Sequence, residues 1–349
     1  MPVPSTTGSP FNMENHSSDI PRHRRSRPSM MKWSDLLLSL MAAIGLSVTG
    51  LSIAQEFPSR PLRLVAANSP GSAVDLIARI MGPELSKSLG QPVVVENRAG
   101  AASIIGYEYV AKAAPDGYTS IIANRLELAT LPLIAKDLRF DPHKDLVPII
   151  GLSEGRLVVA SASSLPWKSF AEFRNNARAN PGKLNSGGSS AVVRLISEQV
   201  FREAGIKLTF IPYSNTGAYA QALLTGDLHA GITSESVAAG MGDRVRMLAI
   251  TGAQRLDTMR DVPTFAEVGH PNIGGVSHSI NVPLRTPKAA TDKLHAAASR
   301  ALQQPELRAQ FAKIRQDIVE QSAEVAAKKL EEEVRIFAEV AKSTNMQLQ

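Results

Sequence analysis

The turn PGS at positions 70–72 carries the clearest chemical signal in the sequence. The apolar run RLVAA precedes it, and an amphipathic segment, AVDLIARIMG, follows it. Ser72 and Asp75 have the S-x-x-D spacing of a capping box, so Ser72 is predicted to begin a helix. A helix N-terminus has unpaired N–H groups and a partial positive charge, and can therefore bind an anion. The loop Asn68–Ser72, which includes Ser69, is a candidate anion site; a turn and a helix cap without a ligand are the alternative.

The sequence shows no catalytic constellation. GLSEG, residues 151–155, matches the G-x-S-x-G pattern of a nucleophile elbow, but that elbow needs a helix after the serine, and RLVVAS favours a strand. The lysine of a phosphate-binding loop is missing, the seven histidines lack metal-ligand spacing, and there is no cysteine. We interpret Glu331, Glu332 and Glu333 as a solvated helix face. We therefore expect no enzyme activity, no metal and no cofactor.

The first 54 residues have the pattern of an export signal. The basic cluster RHRRSR precedes the apolar run LLLSLMAAIGLSVTGLSIA, and Ser52 and Ala54 supply small residues at the −3 and −1 positions. We predict cleavage after Ala54, with a retained membrane anchor as the alternative and Met30 or Met31 as an alternative start. The remaining chain has 33 basic and 29 acidic residues, a net charge of +4, and no long basic run. This charge pattern argues against a nucleic-acid partner.

Strand-like and helix-like segments alternate through the rest of the chain. Apolar runs such as LRLVAA, PVVVEN and SIIAN are each followed by a segment with helical periodicity. This alternation predicts an α/β fold with parallel sheets, and a chain of 349 residues is long enough for two domains. Ligands of such sheets bind beyond the carboxyl ends of the strands, which is where the Asn68–Ser72 loop would lie.

The strings ENRAGAAS, VAKAAPDGYT, IPYSNTGAYAQALLTGDL and RDVPTFAEVG follow one another along the chain. In this order they resemble the tripartite tricarboxylate transporter receptors, the Bug-type periplasmic solute-binding proteins, and the resemblance covers nearly the whole chain after the leader. It implies a two-lobed α/β periplasmic binding protein fold (type II-like), with a ligand cleft between lobes joined by two crossover segments. We place lobe 1 at residues 55–153 plus 280–349 and lobe 2 at residues 154–279.

The resemblance also implies a function. A periplasmic receptor of this kind would capture a small organic acid, close around it and present it to the membrane permease of a tripartite transporter. A periplasmic sensor that docks on a signalling partner is the alternative, since the same lobes would serve either role. We expect a periplasmic monomer, in agreement with the leader.

The ligand-binding loops of the family can be matched position by position. The first loop is residues 70–75, in which Ser72 replaces the second glycine of the family pattern, and the second loop follows the strand at 119–122. The third loop is the hydroxyl-rich segment 186–190. The ligand-binding residues implied in this way, together with those of the first turn, are Asn68, Ser69, Gly71, Ser72, Asp75, Asn124, Arg125, Ser186, Gly187, Gly188, Ser189, Thr216, Thr233 and His278.

Several positions depart from the family pattern. Arg125 and Glu127 stand where small residues are expected, Thr233 replaces a common acidic residue, and His278 or a neighbour replaces an aromatic residue. An arginine that is removed from water prefers a bidentate carboxylate, so Arg125 is predicted to face the cleft; pairing with Glu127 or a surface position are the alternatives. The loss of the acid at Thr233 argues against a ligand whose ammonium group is neutralised there. We therefore favour a carboxylate or other small acid over an amino acid.

Overall fold

The computed structural model describes residues 57–135, 137–270 and 273–343. The leader, the predicted cleavage at Ala54 and the alternative starts at Met30 and Met31 lie outside these residues. No helix within the described ranges is long and apolar enough to cross a membrane.

Strands and helices alternate along most of the described chain, as the sequence predicts. The strands are β1 Leu62–Ala66, β2 Val93–Asn97, β3 Thr119–Asn124, β4 Leu146–Gly155, β5 Leu157–Ala162, β6 Asn185–Gly188, β7 Thr209–Pro212, β8 Ala230–Ser234, β9 Val245–Ile250, β10 Val276–Pro283 and β11 Gln316–Ser322. The helices are α1 Ala73–Leu89, α2 Ile104–Ala111, α3 Arg125–Ile134, α4 Phe170–Ala179, α5 Ala191–Glu203, α6 Thr216–Thr225, α7 Glu235–Gly240, α8 Lys288–Leu302, α9 Pro305–Lys313 and α10 Ala323–Ser343.

The strands form two sheets. The first has the spatial order β11-β4-β10-β3-β1-β2, and the second has the order β7-β6-β8-β5-β9. In the first sheet β1 pairs in parallel with β2 and with β3, where Leu64 lies opposite Val95 and Ser120. In the second sheet β6 pairs in parallel with β7 and β8. The carboxyl ends of these parallel strands are the places at which helices begin.

The prediction of parallel sheets is correct for only part of each sheet. β10 is antiparallel to both β3 and β4, and β11 is antiparallel to β4. In the second sheet β5 is antiparallel to β8 and β9. The alternation of strands and helices does not reveal the antiparallel pairs. A parallel pair needs a strand-helix-strand unit, whereas β10 follows the crossing from the second sheet and β11 follows two helices. The GLSEG segment lies within β4, so it forms a strand and not a nucleophile elbow.

The chain passes between the sheets twice. It leaves the first sheet between β4 and β5 and returns between β9 and β10, so all the strands of the second sheet come from residues 157–250. β10 begins at Val276 and belongs wholly to the first sheet, whereas our predicted lobe boundary falls at residue 280. The division into lobes at 55–153 plus 280–349 and 154–279 stays a prediction.

The helix α1 illustrates how local sequence produces this architecture. Its buried side chains include Val74, Ile77, Ala78 and Met81, which recur with helical spacing and pack against the first sheet. The side chain of Ser72 accepts a hydrogen bond from the N–H of Asp75, which confirms the predicted helix cap. The apolar face thus fixes the helix against the sheet, and its N-terminus is left at the carboxyl end of β1.

Candidate functional site

The carboxyl ends of β1, β3 and β8 open onto one cavity of about 380 Å³. This is the place where α/β sheets bind ligands. Four of the predicted site residues line the cavity, namely Asn68, Ser72, Asn124 and His278. Its other polar and charged lining residues are Glu127, Arg156, Ser234, Glu235, Ser236, Arg315 and Gln316. The cavity therefore combines residues that follow strands of both sheets.

A larger and more open groove, of about 900 Å³, lies at the opposite, amino ends of β1 and β3. Its charged side chains are already paired on the surface. The Nε atom of Arg63 lies 3.2 Å from Oε1 of Glu96, and Nη2 of Arg60 lies 2.9 Å from Oδ2 of Asp116. The smaller cavity is the stronger candidate because it lies at the carboxyl ends of the strands and includes a helix N-terminus.

The loop before α1 is held in place by the side chain of Asp75. The Oδ2 atom of Asp75 accepts a hydrogen bond from the N–H of Gly71 at 2.8 Å, and Oδ1 accepts one from Nδ2 of Asn97 at 2.8 Å. Burial raises the pKa of Asp75, but hydrogen bonds from Arg79, Gly71 and Asn97 lower it by more, so its pKa lies below the ordinary value. Asp75 does not line the cavity, and both of its carboxylate oxygens accept hydrogen bonds from other groups of the protein.

Gly71 is needed for its backbone conformation. Its φ is +84°, a region that glycine adopts freely. Space is not the reason for a glycine here, since a Cβ atom at this position would meet nothing within 4 Å. Ser69 and Gly71 are exposed and lie in the loop, but neither lines the cavity. The role of Ser69 and Gly71 in ligand binding stays a prediction.

Glu127 enters the cavity from the first turn of α3. Its Oε2 atom accepts a hydrogen bond from the hydroxyl of Tyr107 at 2.9 Å, and its Oε1 atom accepts one from Nδ2 of Asn68 at 3.3 Å. Burial raises the pKa of Glu127, although hydrogen bonds from Tyr107, Asn68 and Ser103 oppose the increase. These three partners are all neutral, so the Glu127 charge is solvated by dipoles alone.

A strained turn delivers two of these partners. Ala101, Ala102 and Ser103 have φ values of 47°, 51° and 74°, in the left-handed region that non-glycine residues rarely adopt. α2 follows directly, and a Cβ on its Gly106 would lie 2.7 Å from the Cα of Ala67. The absence of that Cβ lets α2 approach the end of β1. Ser103 and the fully buried Tyr107 are thereby brought to Glu127.

Arg125 is paired with a glutamate of α10. Its Nη2 atom lies 2.7 Å from Oε1 of Glu333 on α10, and its side chain is only 11% exposed. It lines a separate pocket of about 20 Å³ behind the candidate site. Pairing with Glu127 and a surface position are therefore wrong for this structure, whereas the role of Arg125 in ligand binding stays a prediction. The interpretation of Glu333 as solvated is also wrong, since burial raises its pKa even though the Arg125 charge lowers it.

His278 forms the wall between these two spaces. It lines the candidate cavity and also the small pocket that contains Arg125. Burial lowers the pKa of His278 to about 4, with a further decrease from the Arg125 charge and an opposing increase from a hydrogen bond with Gln316. The ring is therefore neutral near pH 7, and it can donate or accept one hydrogen bond without adding charge to the cavity.

Both arginines of the cavity are paired with carboxylates of the protein. Arg315 forms an ion pair with Glu235, and Nε of Arg156 lies 2.6 Å from Oδ2 of Asp317. Because Glu235 begins α7 beside the second sheet while Arg315 precedes β11 of the first, this pair links the two sheets across the cavity. Neither arginine carries an uncompensated charge.

The remaining predicted residues form a second cluster around the ends of β6 and β7. The Oγ atom of Ser189 lies 3.3 Å from Oγ1 of Thr216, and both residues lie beside the N-termini of α5 and α6. Ser186, Gly187 and Gly188 are buried in β6, whereas Thr233 lies in β8 one residue before Ser234. None of these six predicted residues lines the cavity. Their role in binding stays a prediction.

Sequence reasoning missed Tyr107, Ser103, Arg156 and Arg315. Tyr107 and Ser103 reach the site through a turn of unusual conformation that no spacing rule indicates. Arg315 reaches it from the end of α9, far along the chain. The sequence marks Glu127 as a departure from the family pattern, but indicates for it only a pairing with Arg125.

Two α/β sheets that are joined by crossing segments and share a cavity at their strand ends define a two-lobed solute-binding protein. The chain belongs to the tripartite tricarboxylate transporter receptor family, since the family model described as "Tripartite tricarboxylate transporter family receptor" matches residues 77–346. Proteins of this family are periplasmic solute-binding receptors, a class distinct from enzymes.

Similar proteins support this assignment. Protein BugT of Bordetella pertussis is 33% identical over 247 residues, which cover 66% of this chain and 74% of BugT. The structure of the periplasmic binding protein BugD is similar with a TM-score of 0.65 and 25% identity, covering 84% of this chain and 100% of that one. MatC from Rhodopseudomonas palustris, solved with bound malate, has a TM-score of 0.65 and 29% identity, covering 81% and 99% of the two chains.

Proposed function

We propose that this protein binds a small carboxylate in the cavity at the strand ends and delivers it, chemically unchanged, to the membrane permease of a tripartite transporter. The observation that carries the proposal is the α1 N-terminus, which opens into a cavity of about 380 Å³ in a receptor-family fold. The malate bound by MatC makes a carboxylate a reasonable ligand class.

The first turn of α1 supplies the anion-binding groups. Ala73 and Val74 line the cavity, and no hydrogen bond within the described part of the chain engages their backbone N–H groups. The Ser72 side chain already caps the N–H of Asp75. Two N–H groups and the positive end of the helix dipole are therefore available for a carboxylate.

The second cluster, with Ser189 and Thr216, would complete the site when the lobes close. Thr216 is exposed and Ser189 is half-buried, and both lie at helix N-termini beside the second sheet. The two chain crossings, near residue 156 and between β9 and β10, would act as the hinge. Closure then derives its free energy from contacts that the ligand makes with both lobes only in the closed form.

Ligand identification comes first in testing this proposal. Small molecules released from the purified, mildly denatured protein are identified by mass spectrometry, and the binding of each acid is measured by calorimetric titration. We expect a small carboxylate. If no small carboxylate is released and none binds, the proposed function is wrong.

The Ala73→Pro variant tests the location of the carboxylate. Proline removes one N–H group but suits the first helical position, and the extended conformation of Ser72 is compatible with a following proline. Loss of a hydrogen bond to a charged group should weaken binding by about 10- to 150-fold. Ala323→Pro, at the first position of α10, is the matched control and should bind normally. Equal affinity in Ala73→Pro and wild type would place the carboxylate elsewhere.

Transport is tested separately by crosslinking the liganded protein to membranes. Specific capture of the permease subunits is the expected result. Capture of a signalling protein in their place would replace transport with sensing.

A further inference from the structure

Some of the charged side chains that line the cavity have an oppositely charged partner in the protein, and one does not. Arg315 is paired with Glu235, and Arg156 is paired with Asp317. Among the residues that the structure describes, no basic side chain pairs with Glu127. The cavity therefore contains one carboxylate whose charge has no cationic partner in the protein.

The protein holds this carboxylate in a defined position. Tyr107, which is fully buried, donates to one oxygen of Glu127 at 2.9 Å and accepts a hydrogen bond from the N–H of Asn124 at 2.9 Å. Asn68 donates to the other oxygen at 3.3 Å. The Ser103 hydroxyl lies beside these groups and donates to Oδ1 of Asn68 at 3.4 Å. Because an ionised carboxylate can accept about four hydrogen bonds, the two donors Tyr107 and Asn68 leave capacity for a further one.

A ligand can use that remaining capacity. Glu127 and the first turn of α1 line the same cavity, so one small molecule that reaches both would meet N–H donors at one end and a negative acceptor at the other. A ligand with a carboxylate and a nitrogen that bears hydrogen atoms satisfies both ends. A simple dicarboxylate would place negative charge beside Glu127, which costs free energy in a partly desolvated site.

We propose that Glu127 selects a ligand carrying an ammonium or amide N–H group in addition to its carboxylate, so that the protein is a receptor for amino acids or related compounds. This inference rests on the proposed function, because it assumes that the cavity binds a carboxylate. It also changes the ligand class that we favoured from the sequence. In this proposal the carboxylate of Glu127 takes the role that the sequence comparison assigned to an acidic residue at the position of Thr233.

The direction of the Glu127 pKa agrees with this role. Burial raises the pKa of the free carboxyl group, and an ammonium group brought within hydrogen-bond distance would lower it again. Binding of a cationic group therefore relieves the desolvation of Glu127. A protonated Glu127 that donates to a second ligand carboxylate is the competing arrangement, and it would favour dicarboxylates at low pH.

Matched ligand pairs test the proposal directly. Succinate and L-aspartate differ only in the ammonium group, as do glutarate and L-glutamate. Each is titrated calorimetrically into wild type and Glu127→Gln at pH 5 and pH 7.5. Glu332→Gln, which removes an exposed carboxylate from α10, is the matched control.

We expect wild type to prefer the amino member of at least one pair by about 10- to 150-fold, the range for a hydrogen bond to a charged group. Glu127→Gln should lose most of this preference, Glu127→Asp should retain part of it, and the control should keep it. Thermal melts of the free variants confirm that each is folded.

Two other results have separate meanings. Tighter binding of succinate or glutarate that is unchanged in Glu127→Gln, or that strengthens at pH 5, would overturn the selection by Glu127 while leaving the receptor function intact. If none of the four compounds binds and mass spectrometry finds no carboxylate released from the native protein, the proposed function fails and this inference fails with it.

Discussion

The Nη2 atom of Arg125 lies 2.7 Å from Oε1 of Glu333, which is 208 residues further along the chain. The pair joins the first turn of α3 to α10, and it lies behind the candidate cavity, with His278 between them. Through this pair Arg125 stabilises the wall behind the cavity.

We predict that Arg125→Ala and Glu333→Ala each destabilise the protein by about 3 kcal/mol, because each leaves a mostly buried charge without its partner. The figure is at the lower end of the usual range because the two side chains retain 11% and 20% exposure. Urea unfolding measures the change, and ligand affinity should stay close to that of wild type.

Two further variants sharpen this prediction. The double replacement Arg125→Met with Glu333→Leu should recover most of the stability, since it removes both charges together. Arg335→Ala, which breaks an exposed pair with Glu339 on the same helix, should have little effect. A large loss of ligand affinity in folded Arg125→Ala would instead support the prediction that Arg125 binds the ligand.

Glu127→Gln should stabilise the ligand-free protein at neutral pH. The pKa of Glu127 is raised above its ordinary value of 4.5, so the folded state binds its proton more tightly than the unfolded state. The free energy of unfolding therefore falls as pH rises through the interval between these two pKa values. Urea unfolding at a series of pH values should show a smaller fall in Glu127→Gln, and curves parallel to wild type would contradict the assignment.

His278 should make the protein sensitive to mild acid. Its pKa is lowered from 6.5 to about 4, so the unfolded state binds more protons in this interval. Its contribution to stability is complete above pH 6.5 and is lost as pH falls toward 4. The loss amounts to at most about 3 kcal/mol. In His278→Gln the free energy of unfolding should fall less over the same interval; an unchanged slope would show that His278 is not responsible.

Gly71→Val should destabilise the loop before α1 by about 1–2 kcal/mol, the cost of a left-handed conformation for a residue with a Cβ atom. Gly71→Asn should cost less, since asparagine tolerates this conformation better. Gly240→Ala is the control, because Gly240 has an ordinary φ and open space around it. Thermal melts of the ligand-free variants make the comparison, and equal melting temperatures for Gly71→Val and wild type would show that the loop adapts.

Local signals in the sequence were sufficient for the first half of the site. The apolar spacing of α1, its cap at Ser72 and its place after β1 follow from a few adjacent residues, and all three are present. The Arg125–Glu333 pair could not be predicted in this way, because nothing near Arg125 identifies a partner on the last helix. The turn at Ala101–Ser103 is similarly hidden, since its residues adopt a conformation that residues other than glycine rarely adopt.

The two sheets also differ in how far apart their strands lie along the chain. All strands of the second sheet lie between residues 157 and 250, whereas the first sheet needs β1 near the beginning of the described chain and β11 near its end. β1, β2 and β3 can pair with one another, but the first sheet is complete only when β10, β4 and β11 have joined it. Pairings over such distances form slowly. Because the cavity is lined by residues beside β1 and also by Arg315 and Gln316 at the start of β11, it is complete only when these distant parts of the chain have come together. A ligand that binds there therefore stabilises only the assembled first sheet.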